Sequence, residues 1–267
     1  MVRQPVVAGQ FYPGTRDGLR TMIKKLVDEG VEREEVLGAV SPHAGYIYSG
    51  YVAGAVISRI KLGDVFVIMG PNHTGMGKAF AIMAEGSWRT PLGDVEIDSG
   101  LAKMILGASD HIEEDEVAHR FEHSIEVQVP FLQYFKPDIR IVPIVLSHSR
   151  LAIYREIGRA LAEAIKGYGN KVVLMASSDM THYEPHESAR KKDRQAIDAI
   201  LKLDEEELVR RVTEMDISMC GYAPVTCLLS ACKQLGAKTA ELVKYQTSGD
   251  TSGDYSSVVG YAGIIVK

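Results

Sequence analysis

The chain is poor in the residues that announce specialised architectures. Its 267 residues include three cysteines, Cys220, Cys227 and Cys232, an odd number gathered late in the sequence. That excludes a disulfide framework and points to reduced thiols, whose ordinary fate is burial. No apolar run approaches the ~20 residues that cross a bilayer, and the opening Met1-Val2-Arg3-Gln4-Pro5-Val6-Val7-Ala8-Gly9 has no apolar region of signal-peptide length. A cytoplasmic protein with no membrane partner is therefore expected. A basic excess is also missing: the formal net charge is −5 and the pI near 5.9, which argues against nucleic-acid binding. Asparagine is scarce, with only Asn72 and Asn170 beside 24% charged residues, a thermophile-like composition.

What remains is an ordinary globular composition, 46% hydrophobic, with apolar periodicities that alternate along the chain. Helical spacing is expected over residues 15–30, 51–60, 124–135, 151–166, 187–203, 205–214 and 223–235, and from Asp98 or Ser99 to Leu106. Short β-favouring runs lie at Val36–Val40, Val65–Met69, Ala79–Ala84, Val95–Ile97, Arg140–Val145, Lys171–Ala176, Glu241–Tyr245 and Val258–Val266, and Trp88–Asp94 reads as a turn. The repeat Thr247-Ser248-Gly249-Asp250, Thr251-Ser252-Gly253-Asp254 suits a turn-rich loop. With no linker dividing the chain, the pattern predicts an α/β fold: one domain over residues 1–267, with a mixed, mostly parallel central sheet flanked by helices.

Three of the strands run into short polar segments that carry a histidine. These are Ser41-Pro42-His43-Ala44-Gly45-Tyr46, Gly70-Pro71-Asn72-His73 and Ser177-Ser178-Asp179-Met180-Thr181-His182. In an open parallel sheet, ligands bind at the carboxyl ends of strands. The roughly 30 residues from His43 to His73 have the size of a strand–helix–strand crossover, which places both loops on one edge of the sheet. If the third strand joins them, three imidazoles and the Asp179 carboxylate converge, and Asp179 could fix the tautomer of His182. The glycines after His73 do not form a phosphate loop. Five positions before the Gly77-Lys78 pair stands Asn72 instead of glycine, and Ala79 follows the lysine.

His119 and His123 are four apart without the glutamate of the His-Glu-x-x-His pattern, so they give a weak zinc signal. His123 and Glu126 could share a face turned into the pocket, while Glu122 and Glu126 read as a solvated pair. Pro185 interrupts any helical turn between His182 and His186, and His111 and His148 read as surface residues. Cys220 lies in a break between helices beside Gly221 and Pro224; it is either an inert buried thiol or a soft ligand for iron, copper or zinc. Cys227 and Cys232 read as core.

Taken together, Ala8–Pro13, Pro42–Tyr46, Gly70–His73, Arg89–Gly93, Glu122–Glu126, Ser177–His182 and Cys220-Gly221 resemble the Memo family, over nearly the whole chain. That family is distantly similar in fold to the class III extradiol ring-cleaving dioxygenases. The resemblance implies a cavity holding an iron or copper ion, with His43, His73 and Cys220 as ligands. Asp179 and His182 would stand beside the metal, His182 where the dioxygenases keep an acid–base histidine, and His123 would line the pocket. Those dioxygenases hold Fe(II) with two histidines and a carboxylate, so cysteine in the third position argues against ring cleavage. Three functions follow as expectations: a metal-dependent redox enzyme, a module binding a small molecule or phosphorylated peptide, and a zinc hydrolase.

Overall fold

A computed structural model describes the whole chain, Met1 to Lys267. Four parallel strands form the centre of its main sheet, in the spatial order Gly38–Ser41, Val172–Ser177, Val65–Pro71, Arg140–Leu146. Val65–Pro71 is buried at all seven positions, as expected of a strand covered on both faces. Antiparallel strands extend both sides. Val258–Val266 pairs with Gly38–Ser41 and carries Ala240–Thr247 and His182–Glu184, while Phe80–Ile82 pairs with Arg140–Leu146 and leads to Glu113–Glu114. The mixed, mostly parallel sheet read from the sequence is the sheet observed.

The order of the central strands fixes where the helices lie. The chain leaves Gly38–Ser41, passes through helix Tyr46–Arg59, and returns two places along as Val65–Pro71. It later leaves Arg140–Leu146, passes through helix Leu151–Gly167, and returns two places back as Val172–Ser177. Right-handed crossovers travelling in opposite directions put their helices on opposite faces. The core divides accordingly. Ala53, Val56 and Ile57 pack with Phe66, Ile68, Val173 and Met175 on one side. On the other, Tyr154, Ile157 and Leu161 pack with Val65, Val67, Met69 and Leu174. Strand residues alternate between the two layers with period two, and the helix residues recur at three- and four-residue spacing. Each such large apolar side chain contributes roughly 1.5–3 kcal/mol by leaving water.

Some expectations are corrected locally. The helix expected from Tyr51 starts at Tyr46, because the Tyr46 N–H donates to Phe11 O and the turn after Gly45 is already helical. The helix expected over 124–135 begins as a 3₁₀ turn at Glu126–Gln128, and the α-helix proper is Val129–Phe135. Pro130 stands in its first turn, where a missing N–H costs nothing, so it starts the helix instead of bending it. Trp88–Asp94 is not all turn. Ser87–Thr90 and Gly93–Glu96 form a hairpin that pairs with Val2–Arg3 in a separate three-stranded sheet. Within the Thr247–Asp254 repeat, Gly249–Ser252 makes one short helix.

Candidate metal centre

The carboxyl ends of the parallel strands gather the predicted histidines. His43 follows Gly38–Ser41 and His73 follows Val65–Pro71, and their ring centroids stand 5.2 Å apart. His123, from the irregular segment before the 3₁₀ turn, joins them at 5.6 Å from His43 and 4.8 Å from His73, with its ring nearly parallel to that of His73. One ring nitrogen from each of the three lies within 4.8 Å of the other two, an arrangement that can hold a metal ion. His43 is buried, His123 half-buried and His73 open to solvent, so the cluster has a closed floor and one accessible side.

Close approach of the loops depends on two glycines. A side chain at Gly70 would strike Ser124 and Ile125, so the His73 and His123 segments meet only because none is there. At Gly221 a Cβ would meet Ser178 and the Ser177 carbonyl, and this contact seats Cys220 against the strand end. Cys220 Sγ lies 3.2 Å from His43 Nε2 and 3.7 Å from the Asp179 carbonyl oxygen.

Two carboxylates organise the site, in ways the sequence did not reveal. Glu122, expected in solvent, is fully buried. Its carboxylate accepts the His73 backbone N–H at 2.7 Å, the Ser124 N–H at 2.8 Å and the His73 Nδ1–H at 2.9 Å. A carboxylate only accepts, so His73 carries its proton on Nδ1 and keeps the Nε2 lone pair free. Burial pushes the Glu122 carboxyl up, but the His73 hydrogen bond and charge and the Ser124 N–H outweigh it and bring it down to about 2. Glu126 is also buried instead of solvated. It forms an ion pair with Arg3 and accepts from Tyr12 Oη at 2.6 Å and from the Val6 and Val7 N–H groups. Arg3 in turn donates to the carbonyls of His119 and Glu122 and stacks on Trp88, tying the N-terminal segment to the back of the His123 loop.

Asp179 accepts the His43 backbone N–H at 2.7 Å instead of holding the His182 ring, which corrects the expected partnership. The ring of His182 is held by the Ser218 carbonyl, 2.9 Å from Nδ1; a carbonyl requires the proton there and leaves Nε2 free. His182 begins a short strand, His182–Glu184. His119 is absent from the cluster, buried edge-on against Trp88. His148 is exposed and stacks on Tyr222, and His111 pairs with Glu156.

Burial drives His43, His123 and the Cys220 thiol toward their neutral forms, while Glu122 stays ionised. Burial, then the neighbouring His73, His123 and His182, hold His43 far below the usual imidazole range. Burial also lowers His123 against the pull of Glu122. Burial, with Asp179 nearby, raises the Cys220 thiol. Burial lifts Asp179 to about 6 against the hydrogen bond from the His43 N–H and the charge of His182. Neutral imidazoles are the form that binds metal, and a thiol kept protonated by burial ionises beside a cation.

The molecule is thus a mixed α/β protein whose parallel strand ends assemble a three-histidine cluster able to hold a metal ion. Its sequence matches the family model described as Memo-like protein over residues 3–265. Similar proteins include a MEMO1 family protein of Methanococcoides burtonii, 52% identical over 269 residues and the full length of both chains. Another, from Pyrobaculum aerophilum, is 47% identical over 276 residues, covering 99% of this chain and 98% of its own. The chain belongs to the Memo-like family. The crystal structure of an uncharacterized protein from Escherichia coli K12 has the same fold, with a TM-score of 0.57 and 17% identity over 86% of this chain and 100% of that one.

Proposed function

We propose that the chain is a metal-dependent redox protein that binds iron or copper through His43, His73 and Cys220 and acts on a small-molecule or peptide ligand at the open side of the cluster. One observation carries the reading: the Cys220 sulfur stands 3.2 Å from Nε2 of His43, the buried member of the three-histidine cluster. A thiolate and an imidazole sharing one ion at ~2.3 and ~2.0 Å stand about 3.2–3.6 Å apart, so the pair fits a common ion. The Glu122–His73 hydrogen bond is the second requirement met, because metal-binding imidazoles commonly give their other N–H to a carboxylate. Mixed sulfur and nitrogen donors accept iron and copper as well as zinc, and the redox reading takes the first two.

A bound iron or copper ion would supply one-electron chemistry. The chain's own groups supply the rest. His73, on the exposed side, marks where a ligand enters. Asp179, lifted to about 6, can give or take a proton near neutral pH, and His182 has an unprotonated Nε2 to receive one. Ser218 and the His43 backbone N–H hold these two groups in place.

The three-histidine set supports a second reading, because His₃ with one open position is also a hydrolytic zinc site in which Cys220 takes no part. Elemental analysis of protein purified without oxygen, wild type beside Cys220→Ser, separates the two. The redox reading expects iron or copper in the wild type and a marked loss of metal in the variant. Zinc in both proteins, at equal content, would overturn it.

A further inference from the structure

We propose that Ser177 and Gln128 are positioning residues that fix the tautomer of His43, holding its Nε2 lone pair toward Cys220 before any ion arrives. The inference rests on the metal-binding reading for its consequence but on hydrogen-bond accounting for its content. Ser177 Oγ is buried at the end of its strand and meets three groups: Ser124 O at 2.6 Å, Gln128 Nε2 at 2.9 Å and His43 Nδ1 at 3.0 Å. A hydroxyl has one proton and two lone pairs. The Ser124 carbonyl can only accept, so the hydroxyl proton goes there. The Gln128 amide donates to one lone pair.

The orientation of that amide is itself determined. Its nitrogen also lies 2.8 Å from Pro42 O, and turning it over would set oxygen against oxygen at Pro42 and leave its N–H groups where the Oε1 now finds no partner. One lone pair of Ser177 then remains for His43, and only an N–H can use it. His43 therefore carries its proton on Nδ1. Its Nε2 is an acceptor, and the Cys220 S–H, 3.2 Å away, is the donor that meets it.

Neither Ser177 nor Gln128 reaches the cluster; both act through His43. With the hydroxyl removed, the imidazole loses its side-chain acceptor at Nδ1, keeps only the Ser177 backbone as a partner, and is freer to put its proton on Nε2, the nitrogen an ion needs bare. Loss of such an outer partner weakens metal binding by roughly 10- to 100-fold.

The test is long-range ¹H–¹⁵N NMR of the imidazoles in ¹⁵N-labelled, metal-free protein, together with competition titrations using Fe(II) and the redox-silent Zn(II). Wild type should show His43 with a protonated Nδ1 and an unprotonated Nε2. Ser177→Ala should gain the opposite tautomer at His43, keep the His73 pattern set by Glu122, and bind both ions 10- to 100-fold more weakly. Gln128→Met, which leaves the hydroxyl in place but frees its geometry, should move in the same direction. A wild-type spectrum with the proton on Nε2 overturns the assignment, and it needs no variant to fold. Unchanged ion affinity in folded Ser177→Ala overturns the positioning role. Wild type that binds neither ion overturns the metal-binding reading, while its spectrum still decides the tautomer.

Discussion

Replacing His119 with leucine should flatten the acid sensitivity of the fold. The side chain is fully buried, neither ring nitrogen has a hydrogen-bond partner, and the ring packs edge-on to Trp88. Burial first, and then the Arg3 charge, bring its pKa from 6.5 down to about 3. For a base whose folded value is depressed, the unfolded chain takes up the proton first as pH falls. The resulting stability is therefore whole above about 6.5 and drains away between there and about 3.

At 1.36 kcal/mol per pH unit, the descent from 6.5 to 4.5 removes about 2.5 kcal/mol, a large share of the ~5–15 kcal/mol typical of a folded domain. Leucine fills similar space and forfeits no hydrogen bond, and Arg3 still donates to the backbone carbonyl of residue 119. The variant should lie within about 1.5 kcal/mol of wild type at pH 7.5, as volume-conserving core changes do. Urea unfolding of the metal-free proteins at pH 7.5 and 4.5 reads the difference directly. If both proteins lose the same stability between those values, His119 does not remain neutral in the fold and the reasoning fails.

Three further outcomes follow from the same network. Glu122→Gln should lower metal affinity about 10- to 100-fold, because an amide nitrogen must then face either the His73 backbone N–H or His73 Nδ1–H; isothermal titration with Zn(II) measures it. Arg3→Met should cost about 3 kcal/mol in urea unfolding by leaving Glu126 buried without its cation; a loss under 1 kcal/mol would mean that Tyr12 and the Val6 and Val7 N–H groups suffice. Gly221→Ala should cost about 1–3 kcal/mol and weaken metal binding together, since its new methyl displaces the segment that seats Cys220; full metal affinity in a folded variant would separate that seat from the site.

Long, strongly patterned elements were legible from the sequence. The four central strands are continuous apolar runs bounded by polar turns, and the helix at Leu151–Gly167 buries Tyr154, Ile157, Leu161 and Ala164 at its own period. The placement of His43 and His73 on one sheet edge followed from crossover length alone. Glu122 and Glu126 could not be read that way. Their burial is decided by Arg3, Val6, Tyr12 and His73, which approach from distant parts of the chain, and two glutamates near a histidine look the same in solvent. Asp179 was paired with the wrong partner for a related reason: three-residue proximity suggested His182, whereas sheet register brought the His43 N–H to it. Ser177 and Gln128 gave no signal of this role, since a serine at a strand end and a glutamine ahead of a helix look ordinary until a third chain segment meets them.

The three clustered histidines come from positions 43, 73 and 123, the sulfur 3.2 Å from His43 Nε2 comes from position 220, and the strand that pairs with Gly38–Ser41, Val258–Val266, follows them all. During synthesis the three imidazoles are made well before the thiol, and the strand that flanks Gly38–Ser41 is made after both. The pocket therefore gains its sulfur, and the cover beside the strand that carries His43, only late in translation. A product stopped before Cys220 would carry the three histidines without either.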